Sequence, residues 1–391
     1  MRVRRGPLTS IGSSHRGRLR VGALLATLAL LFAACAGAAS PTPPPTAMPT
    51  SSSNTQVQTS ASPSASPSGI AQAPKLTTMT HVRFAVWGAP TSDMSFIFTA
   101  MEKGYFKNEN LDVQLVAGQG SADACRHLIT GDAQFAWCTG EAVLFAAAQG
   151  ANIKQIFQIW GNIYGMIYLP NICKCQINSI NDLKGLKVGI QDQGSLTRHL
   201  LLLALAQAGM SEKDFAQEIA VGYNPAPPML SGQIDTYMSW PNLSLDLIGT
   251  PGFGQMKTWP IANVDYPGDD LVVTQDEYNN NQPLVQAFLR ALIMGMRYEF
   301  GHEAEVAQFL PKYLPSSNQT PAQLLPQIKN NDLQLQYAGT AENGLGWQDP
   351  LVPGKTQDVL VKAGVMPSPV SNVNDLFTND LVTLYKDYGK N

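Results

Sequence analysis

The chain has no apolar run long enough to cross a membrane as a helix. A transmembrane helix needs roughly 20 consecutive apolar residues, and the run VGALLATLALLFAA at 21–34 has 14. Basic residues are also few and dispersed, since 26 Lys and Arg stand against 29 Asp and Glu for a net charge of −3. The absence of a basic cluster argues against nucleic acid as a partner.

The sequence also lacks the motifs of common catalytic sites. It has no Gly-x-Ser-x-Gly elbow, and His302-Glu303 has no second histidine at the zinc-protease spacing. The glycine spacing of GIQDQGS at 189–195 resembles a phosphate loop but lacks its lysine. Cys173 and Cys175 form a close pair, but no second close pair supplies further metal ligands. We therefore expect no enzyme activity, no cofactor and no metal.

The first 34 residues have the pattern of an export signal. Six arginines and no acidic residue precede the apolar run at 21–34. The small residues before Cys35 resemble the lipobox of bacterial lipoproteins, in which the cysteine receives a lipid, although Phe32 stands where that motif usually has leucine. We expect a signal peptide at 1–34 and a lipidated Cys35 that anchors the protein to the outer face of a membrane in the cell envelope. The alternative is an ordinary cleaved signal followed by an incidental cysteine.

Residues 35–75 have the composition of a disordered linker. No charged residue occurs between 36 and 74, and Pro, Ser, Thr and Ala predominate. A flexible chain of about 40 residues spans on the order of 35 Å, enough to hold a folded body away from a membrane. Loss of the leader's six arginines lowers the net charge from −3 to −9. The other four cysteines, Cys125, Cys138, Cys173 and Cys175, permit two disulfides of unknown connectivity.

Short apolar strands alternate with helical patterns in the remaining body, which predicts an α/β fold. HVRFAVW at 81–87 and LDVQLV at 111–116 are predicted strands, each followed by a polar turn and a helix. The segments LITGDAQFAWC at 128–138 and LSGQIDTYMSW at 230–240 share one layout of helix end, glycine turn, strand and tryptophan. Such an internal echo favours two similar lobes.

Four segments carry a specific family resemblance. TAMEKGYFKNENLDVQLVAGQGSADACRHLITGDAQFAW resembles the first lobe of nitrate-, sulfonate-, taurine- and thiamine-precursor-binding proteins, and INSINDLKGLKVGIQDQGS resembles the start of their second lobe. QPLVQAFLRALIMGMRY and GVMPSPVSNVNDLFTNDLV are similar to their C-terminal part, so the resemblance covers residues 80–385. Gln134 stands where the family often has Asp, whereas Asp235 retains it.

The resemblance implies a two-lobed periplasmic-binding-protein fold of type II, with two crossover strands and a ligand cleft between the lobes. Lobe 1 would comprise 76–172 and the returning segment 266–391, and lobe 2 would comprise 173–265. Such proteins are receptors of ABC importers that close over a small-molecule solute like a hinge and present it to a permease in the cytoplasmic membrane. We expect a monomer. The alternatives are a receptor for a membrane signalling partner and an enzyme similar to thiamine-pyrimidine synthases, whose cysteine-rich motif is absent here.

In this fold the ligand lies where strands end and helices begin, because free backbone N–H groups face the cleft there. The candidate ligand-binding residues at these turns are Trp87, Thr91, Ser92, Asp93, Gly120, Ser121, Thr139, Gly140, Glu141, Trp160, Asn162, Gly194, Ser195, Ser239 and Trp240. Helix capping explains each Ser or Thr equally well, and core packing explains each Trp equally well.

Charge at these turns indicates the class of ligand. They contain no Lys or Arg, whereas Asp93 and Glu141 lie within them and Asp192 lies beside one. An oxyanion usually has a cationic partner in its site, so an aromatic or amine-bearing solute such as a pyrimidine fits better than nitrate or a sulfonate. Arg126 and Arg198, in the first turns of two helices, keep an anion open.

Overall fold

The computed structural model describes residues 70–161, 164–261 and 266–390. Ten strands form two five-stranded mixed sheets covered by helices. The strands are β1 Thr80–Val86, β2 Leu111–Ala117, β3 Phe135–Thr139, β4 Ile153–Trp160, β5 Gly165–Tyr168, β6 Lys187–Ile190, β7 Gln217–Ala220, β8 Thr236–Ser239, β9 Lys257–Pro260 and β10 Asp269–Thr274. Alternation of strands and helices thus gives the predicted α/β class.

Fifteen α-helices occur in the described residues, several of them a single turn. They are α1 Ser95–Glu102, α2 Tyr105–Asn108, α3 Ser121–Ile129, α4 Gly140–Ala148, α5 Pro170–Cys173, α6 Leu196–Gln207, α7 Ala226–Leu230, α8 Pro241–Ile248, α9 Gln275–Asn280, α10 Gln282–Glu299, α11 Glu303–Phe309, α12 Pro321–Gln334, α13 Thr340–Asn343, α14 Val352–Lys362 and α15 Asp380–Leu384. Short 3-10 turns lie at Ser92–Met94, Ile180–Leu183, Glu212–Asp214, Leu310–Tyr313 and Val373–Leu376. No helix among the described residues is long and apolar enough to cross a membrane.

The two sheets share one strand order. The first runs β2-β1-β3-β10-β4 and the second β7-β6-β8-β5-β9, and in each the fourth strand is antiparallel to its neighbours. We call the first sheet with its helices the first lobe, and the second sheet with its helices the second lobe. The segments of the sequence echo end in β3 and β8, which hold the same central position in their sheets.

The residue before each central strand has the same structural role in both lobes. Gln134 Oε1 accepts a hydrogen bond from the Arg83 N–H of β1 at 2.9 Å. Asp235 Oδ2 accepts one from the Lys187 N–H of β6 at 2.8 Å. Gln134 therefore ties two neighbouring strands together as Asp235 does, which explains why an amide is accepted at this position.

Packing of α10 against α1 fixes the core of the first lobe. Leu284, Phe288 and Leu292 lie on the buried face of α10 at helical spacing, and the ring of Phe288 stacks on Phe135 of β3 at 3.9 Å. Gly295 lets the two helices approach closely, since an added Cβ would lie 2.3 Å from a backbone carbonyl of α1.

Two connections, 161–164 and 261–268, join the sheets. Because β5 belongs to the second sheet, the chain enters that sheet at Gly165. The lobe boundaries drawn from the sequence at 172 and 265 stay a prediction. The predicted signal peptide, Cys35 and the predicted linker as far as residue 69 lie outside the described residues.

All four cysteines of the body are paired. Cys125–Cys138 joins α3 to β3, and Cys173–Cys175 closes a small ring after α5. The structure thus supplies the connectivity that the sequence leaves open. The first disulfide fastens together two elements that lead directly to the cleft.

Candidate functional site

A cavity of about 40 Å³ lies between the two sheets. Its lining residues come from both lobes and from the first connection, and half of them are aromatic. They are Trp87, Gly120, Ser121, Trp137, Thr139, Trp160, Tyr164, Gln191, Thr197, Tyr223, Trp240 and Asp269. Among the described residues, Asp269 is the one carboxylic acid in this lining, and no Lys or Arg contributes to it.

Six aromatic rings form the walls of the cavity. Trp87 of the first lobe stacks on Tyr223 of the second, with ring centroids 5.9 Å apart and planes 21° from parallel. Trp240 meets Trp87 edge-on at 6.1 Å, and Trp137 meets Trp160 edge-on at 4.9 Å. Indole and phenol rings at such spacings present both faces and edges to a planar molecule.

Strand register places Asp269 at the floor of the cavity. The carboxyl ends of the parallel strands β3 and β4 lie beside the first residue of the antiparallel β10, so Asp269 pairs with both Thr139 and Trp160. Asp269 Oδ2 accepts a hydrogen bond from the Tyr164 hydroxyl at 2.7 Å. Burial, reinforced by the nearby carboxylates of Glu141 and Asp93, raises the pKa of Asp269 to about 8.

Asp93 joins the lobes at one side of the cavity. Asn242 donates to its Oδ1 at 2.7 Å and the Trp240 indole N–H donates to its Oδ2 at 3.1 Å, both from the second lobe. Thr91 donates to the same Oδ2 at 3.1 Å. Burial still dominates over these hydrogen bonds and raises the pKa of Asp93 to about 6.

A second polar chain joins the lobes through Glu141 and His199. Ser121 Oγ accepts from the Thr139 N–H at 2.7 Å and donates to Thr139 Oγ1 at 2.9 Å. Thr139 Oγ1 donates to Glu141 Oε1 at 2.5 Å, and His199 Nδ1 of α6 lies 3.4 Å from the same oxygen. These hydroxyls are therefore engaged with one another as well as exposed to the cavity.

The predicted site residues fall into three groups. Trp87, Gly120, Ser121, Thr139, Trp160 and Trp240 line the cavity. Thr91, Ser92 and Asp93 line an adjoining groove of about 560 Å³, which shares the wall formed by Trp87, Tyr223 and Trp240. Gly140, Glu141, Gly194, Ser195 and Ser239 line neither, and Asn162 lies outside the described residues. Their part in binding stays a prediction.

Local bonds explain several residues that do not reach the cavity. Ser195 caps α6 by accepting from the Arg198 N–H at 3.4 Å, as the capping alternative supposes. Arg126 forms an ion pair with Asp123 at 2.6 Å, and the Arg198 side chain bonds to Glu218 at 2.9 Å. Neither arginine lines the cavity in this form, and an anion site that uses one of them stays a prediction.

Six lining residues were missed by sequence reasoning: Trp137, Tyr164, Gln191, Thr197, Tyr223 and Asp269. Trp137 lies inside an apolar strand, where no sequence signal marks it. Tyr164 lies in the first connection between the sheets, and Tyr223 lies in the loop between β7 and α7. Asp269 did leave a signal, because it and Asp270 form a pair of carboxylates at the start of the apolar run LVV.

Two mixed sheets of this order, joined by two connections over a cavity, define a two-lobed periplasmic-binding-protein fold. The alkanesulfonate-binding protein SsuA from Xanthomonas axonopodis pv. citri has this fold, with a TM-score of 0.59 at 15% identity over 79% of this chain and 100% of its own. The nitrate-binding protein NrtA from Synechocystis matches with a TM-score of 0.57 at 14% identity, over 79% of this chain and 88% of its own.

Residues 91–306 match the family described as NMT1/THI5 like, and the chain belongs to that family. The riboflavin-binding protein RibY from Chloroflexus aurantiacus is 24% identical over 311 residues, which cover 78% of this chain and 87% of RibY. A putative thiamine biosynthesis protein from Haemophilus influenzae is 24% identical over 250 residues, covering 62% of this chain and 78% of its own. The family resemblance and the fold predicted from the sequence are confirmed.

Proposed function

We propose that this protein is a lipid-anchored, extracytoplasmic solute-binding protein that delivers a planar nitrogen heterocycle to an ABC importer, without chemistry of its own. The observation that carries the proposal is the cavity lining, in which the described residues supply six aromatic rings, one carboxyl group and no Lys or Arg. Aromatic walls favour a planar solute. A nitrate or sulfonate would be held without a cationic side chain, next to a buried acid.

The names of the two relatives point to the same class of solute. One is a riboflavin-binding protein and the other is assigned to thiamine biosynthesis, and riboflavin and the thiamine precursors are planar nitrogen heterocycles. The sulfonate- and nitrate-binding structures share the fold at 15% and 14% identity. The cavity lining and the names of the two sequence relatives therefore support the proposed solute class.

Hinge closure is the proposed mechanism of capture. Lining residues come from both lobes, and the lobes are joined by two short connections. A cavity of about 150 Å³ can hold benzene, whereas the cavity here is about 40 Å³. A heterocycle therefore enters only when the lobes move apart, and the liganded, reclosed form is what the permease recognises.

Solute binding is tested by thermal shift and tryptophan fluorescence on a panel of riboflavin, hydroxymethylpyrimidine, formylaminopyrimidine, thiamine, polyamines, taurine, an alkanesulfonate and nitrate. A ligand at 100 times its Kd adds about 2.7 kcal/mol of stability, a shift of several degrees. Trp87→Leu removes the half-buried ring that stacks on Tyr223 and should abolish the shift. Trp259→Phe is the matched control, because Trp259 lies on the edge strand β9 and lines neither the cavity nor the groove. A shift only with sulfonate or nitrate would contradict the proposed solute class.

Anchoring and delivery need separate experiments. The residues around Cys35 support lipidation, so Cys35→Ser should prevent incorporation of labelled palmitate and release the protein from the membrane fraction. Uptake of the bound solute by cells should require this protein together with an ABC permease. Solute binding without any effect on uptake would favour the receptor alternative instead.

A further inference from the structure

The two disulfides of the body differ in what they hold together. Cys125–Cys138 joins α3 to β3, and its cysteines are 2% and 0% exposed. Cys173 and Cys175 are two residues apart in one turn after α5, and both are partly exposed. The entropy that a disulfide removes from the unfolded chain grows with the length of the loop that it closes. The small ring at Cys173–Cys175 therefore contributes less to stability than the longer loop does.

Backbone hydrogen bonds hold the turn after α5 independently of its disulfide. The N–H groups of Ile172 and Cys173 both donate to the Leu169 carbonyl, at 2.9 and 3.0 Å. The Lys174 N–H donates to the Pro170 carbonyl at 3.2 Å. These bonds would remain after reduction, so the turn does not need the disulfide in order to form.

The environment of the two sulfur atoms favours a thiolate at Cys173. The Cys175 N–H donates to Cys173 Sγ at 3.2 Å, and a hydrogen bond donated to an ionised group stabilises its charged form. Lys174 lies exposed between the two cysteines, and a neighbouring cation also stabilises a thiolate. Cys173 is therefore the better leaving group of the pair, and Cys175 Sγ is the atom for a thiol to attack.

The backbone of Lys174 gives the pair a further reason to accept electrons. Its φ of 55° lies in the left-handed region, which is unfavourable for a residue with a Cβ atom. The disulfide joins the residues on either side of Lys174 and so restrains it there. Reduction would remove this restraint, which favours the dithiol form.

We propose that Cys173–Cys175 is a thiol–disulfide exchange site whose substrate is a dithiol. A thiolate of the substrate attacks Cys175 Sγ, the bond between the two protein sulfur atoms breaks, and its electron pair leaves on Cys173 Sγ, which takes up a proton. The second thiolate of the substrate then attacks the substrate sulfur of the mixed disulfide and releases Cys175, which is protonated in turn. The substrate loses two electrons and two protons and becomes a disulfide, and the protein gains them as two thiols.

This exchange goes beyond the proposed capture of a solute and does not depend on it. Neither cysteine lines the cavity or the groove. The reaction is stoichiometric, because each protein molecule accepts one electron pair until its disulfide is formed again.

The test measures reduction of both disulfides in the intact, folded protein. The protein is incubated with dithiothreitol without denaturant, free thiols are alkylated at intervals, and mass spectrometry assigns them to each cysteine. Cys173 and Cys175 should be reduced about 100-fold or more faster than Cys125 and Cys138. A thioredoxin-type protein as the donor then distinguishes the source of the thiols. Faster reduction than by dithiothreitol at equal concentration indicates a protein substrate, and slower reduction indicates a small one.

Variants of two lysines test the role of the local charge. Lys174→Glu reverses the charge beside the sulfur atoms and should slow reduction about 3- to 10-fold. Lys184→Glu, at an exposed lysine before β6, is the matched control and should change the rate less than about 2-fold. A monothiol donor, trapped in acid as the mixed disulfide, should be found on Cys175 by peptide mapping.

Three outcomes would overturn the inference. Reduction of Cys173–Cys175 no faster than that of Cys125–Cys138 would mean that both disulfides are structural. A loss of Tm on replacing Cys173 and Cys175 by alanine as large as the loss on replacing Cys125 and Cys138 would lead to the same conclusion. Equal rates in Lys174→Glu and Lys184→Glu would mean that accessibility alone governs reduction. None of these outcomes involves a solute, so each is distinct from failure of the proposed function.

Discussion

Asp269→Asn should stabilise the solute-free protein as the pH rises towards neutrality. The pKa of Asp269 is raised from 3.8 to about 8, chiefly by burial. In the folded protein the carboxyl group stays protonated up to about pH 8, whereas in the unfolded chain it ionises from about pH 4. The unfolded state therefore binds fewer protons across this window, and the wild-type protein loses stability there as pH rises. The side chain of asparagine does not ionise, so the Asp269→Asn variant does not lose stability in this way.

The magnitude follows from the width of the window. A single group contributes about 1.4 kcal/mol per pH unit between its two pKa values. Between pH 4 and pH 7 the wild-type protein should therefore lose on the order of 4 kcal/mol relative to Asp269→Asn. The new amide adds a cost of about 1–3 kcal/mol if its N–H groups lack acceptors. That cost is independent of pH, so it shifts the plot of unfolding free energy against pH without altering its slope.

Urea unfolding at pH 4, 5, 6, 7 and 8, followed by circular dichroism and by tryptophan fluorescence, measures this difference. The diagnostic quantity is the difference in free energy of unfolding between variant and wild type, and how that difference changes with pH. Asp358→Asn, on the exposed surface of α14, should give a difference that varies by less than about 0.5 kcal/mol. A flat curve for Asp269→Asn would refute the reasoning, because it would mean that Asp269 is ionised and compensated in the solute-free fold.

Three further perturbations have expected outcomes. Replacing both Cys125 and Cys138 by alanine opens a disulfide between residues 13 apart and should cost about 3 kcal/mol, seen as a lower Tm; an unchanged Tm would contradict this. Asn242→Ala removes the amide that bridges the lobes at 2.7 and 2.8 Å, so X-ray scattering should show a larger radius of gyration without solute, and an unchanged radius would argue against a latch there. Gly295→Ala places a Cβ 2.3 Å from a carbonyl of α1 and should cost about 1–3 kcal/mol, whereas Gly254→Ala, with nothing within 4 Å, should cost far less.

The sequence was sufficient to predict the strand-to-helix turns because their signals are local. A run of apolar residues followed by Gly, Ser or Thr marks the end of a strand and a helix N-cap within a few positions. Gly120 and Thr139 are indeed the N-cap residues of α3 and α4. Parallel strands bring such turns to one edge of a sheet, so Trp87 and Trp160 were found together with them.

The rest of the lining depends on tertiary structure that no local signal encodes. Trp137 lies between buried neighbours inside β3. In an apolar strand no sequence pattern distinguishes a residue that faces a cavity from one that faces the core. Tyr223 reaches the cavity from a loop of the second lobe, where it meets Trp87 across 136 residues of sequence. Asp269 arrives on a strand that returns from the second lobe to the first, and its antiparallel direction alone places its first residue at the cavity floor.

The aromatic wall between cavity and groove links affinity to closure. Trp87, Tyr223 and Trp240 line both spaces, so they separate the inner cavity from the groove, and Trp87 and Tyr223 come from different lobes. In the proposed mechanism this stacking breaks when the lobes part, and a planar solute that enters would offer new ring faces in exchange. A substitution of Trp87 should therefore weaken the contact between the lobes in the solute-free form as well as the proposed contact to solute. A change in Kd upon Trp87→Leu would consequently combine the loss of both contacts, so the thermal stability of the solute-free variant has to be measured beside its Kd to separate them.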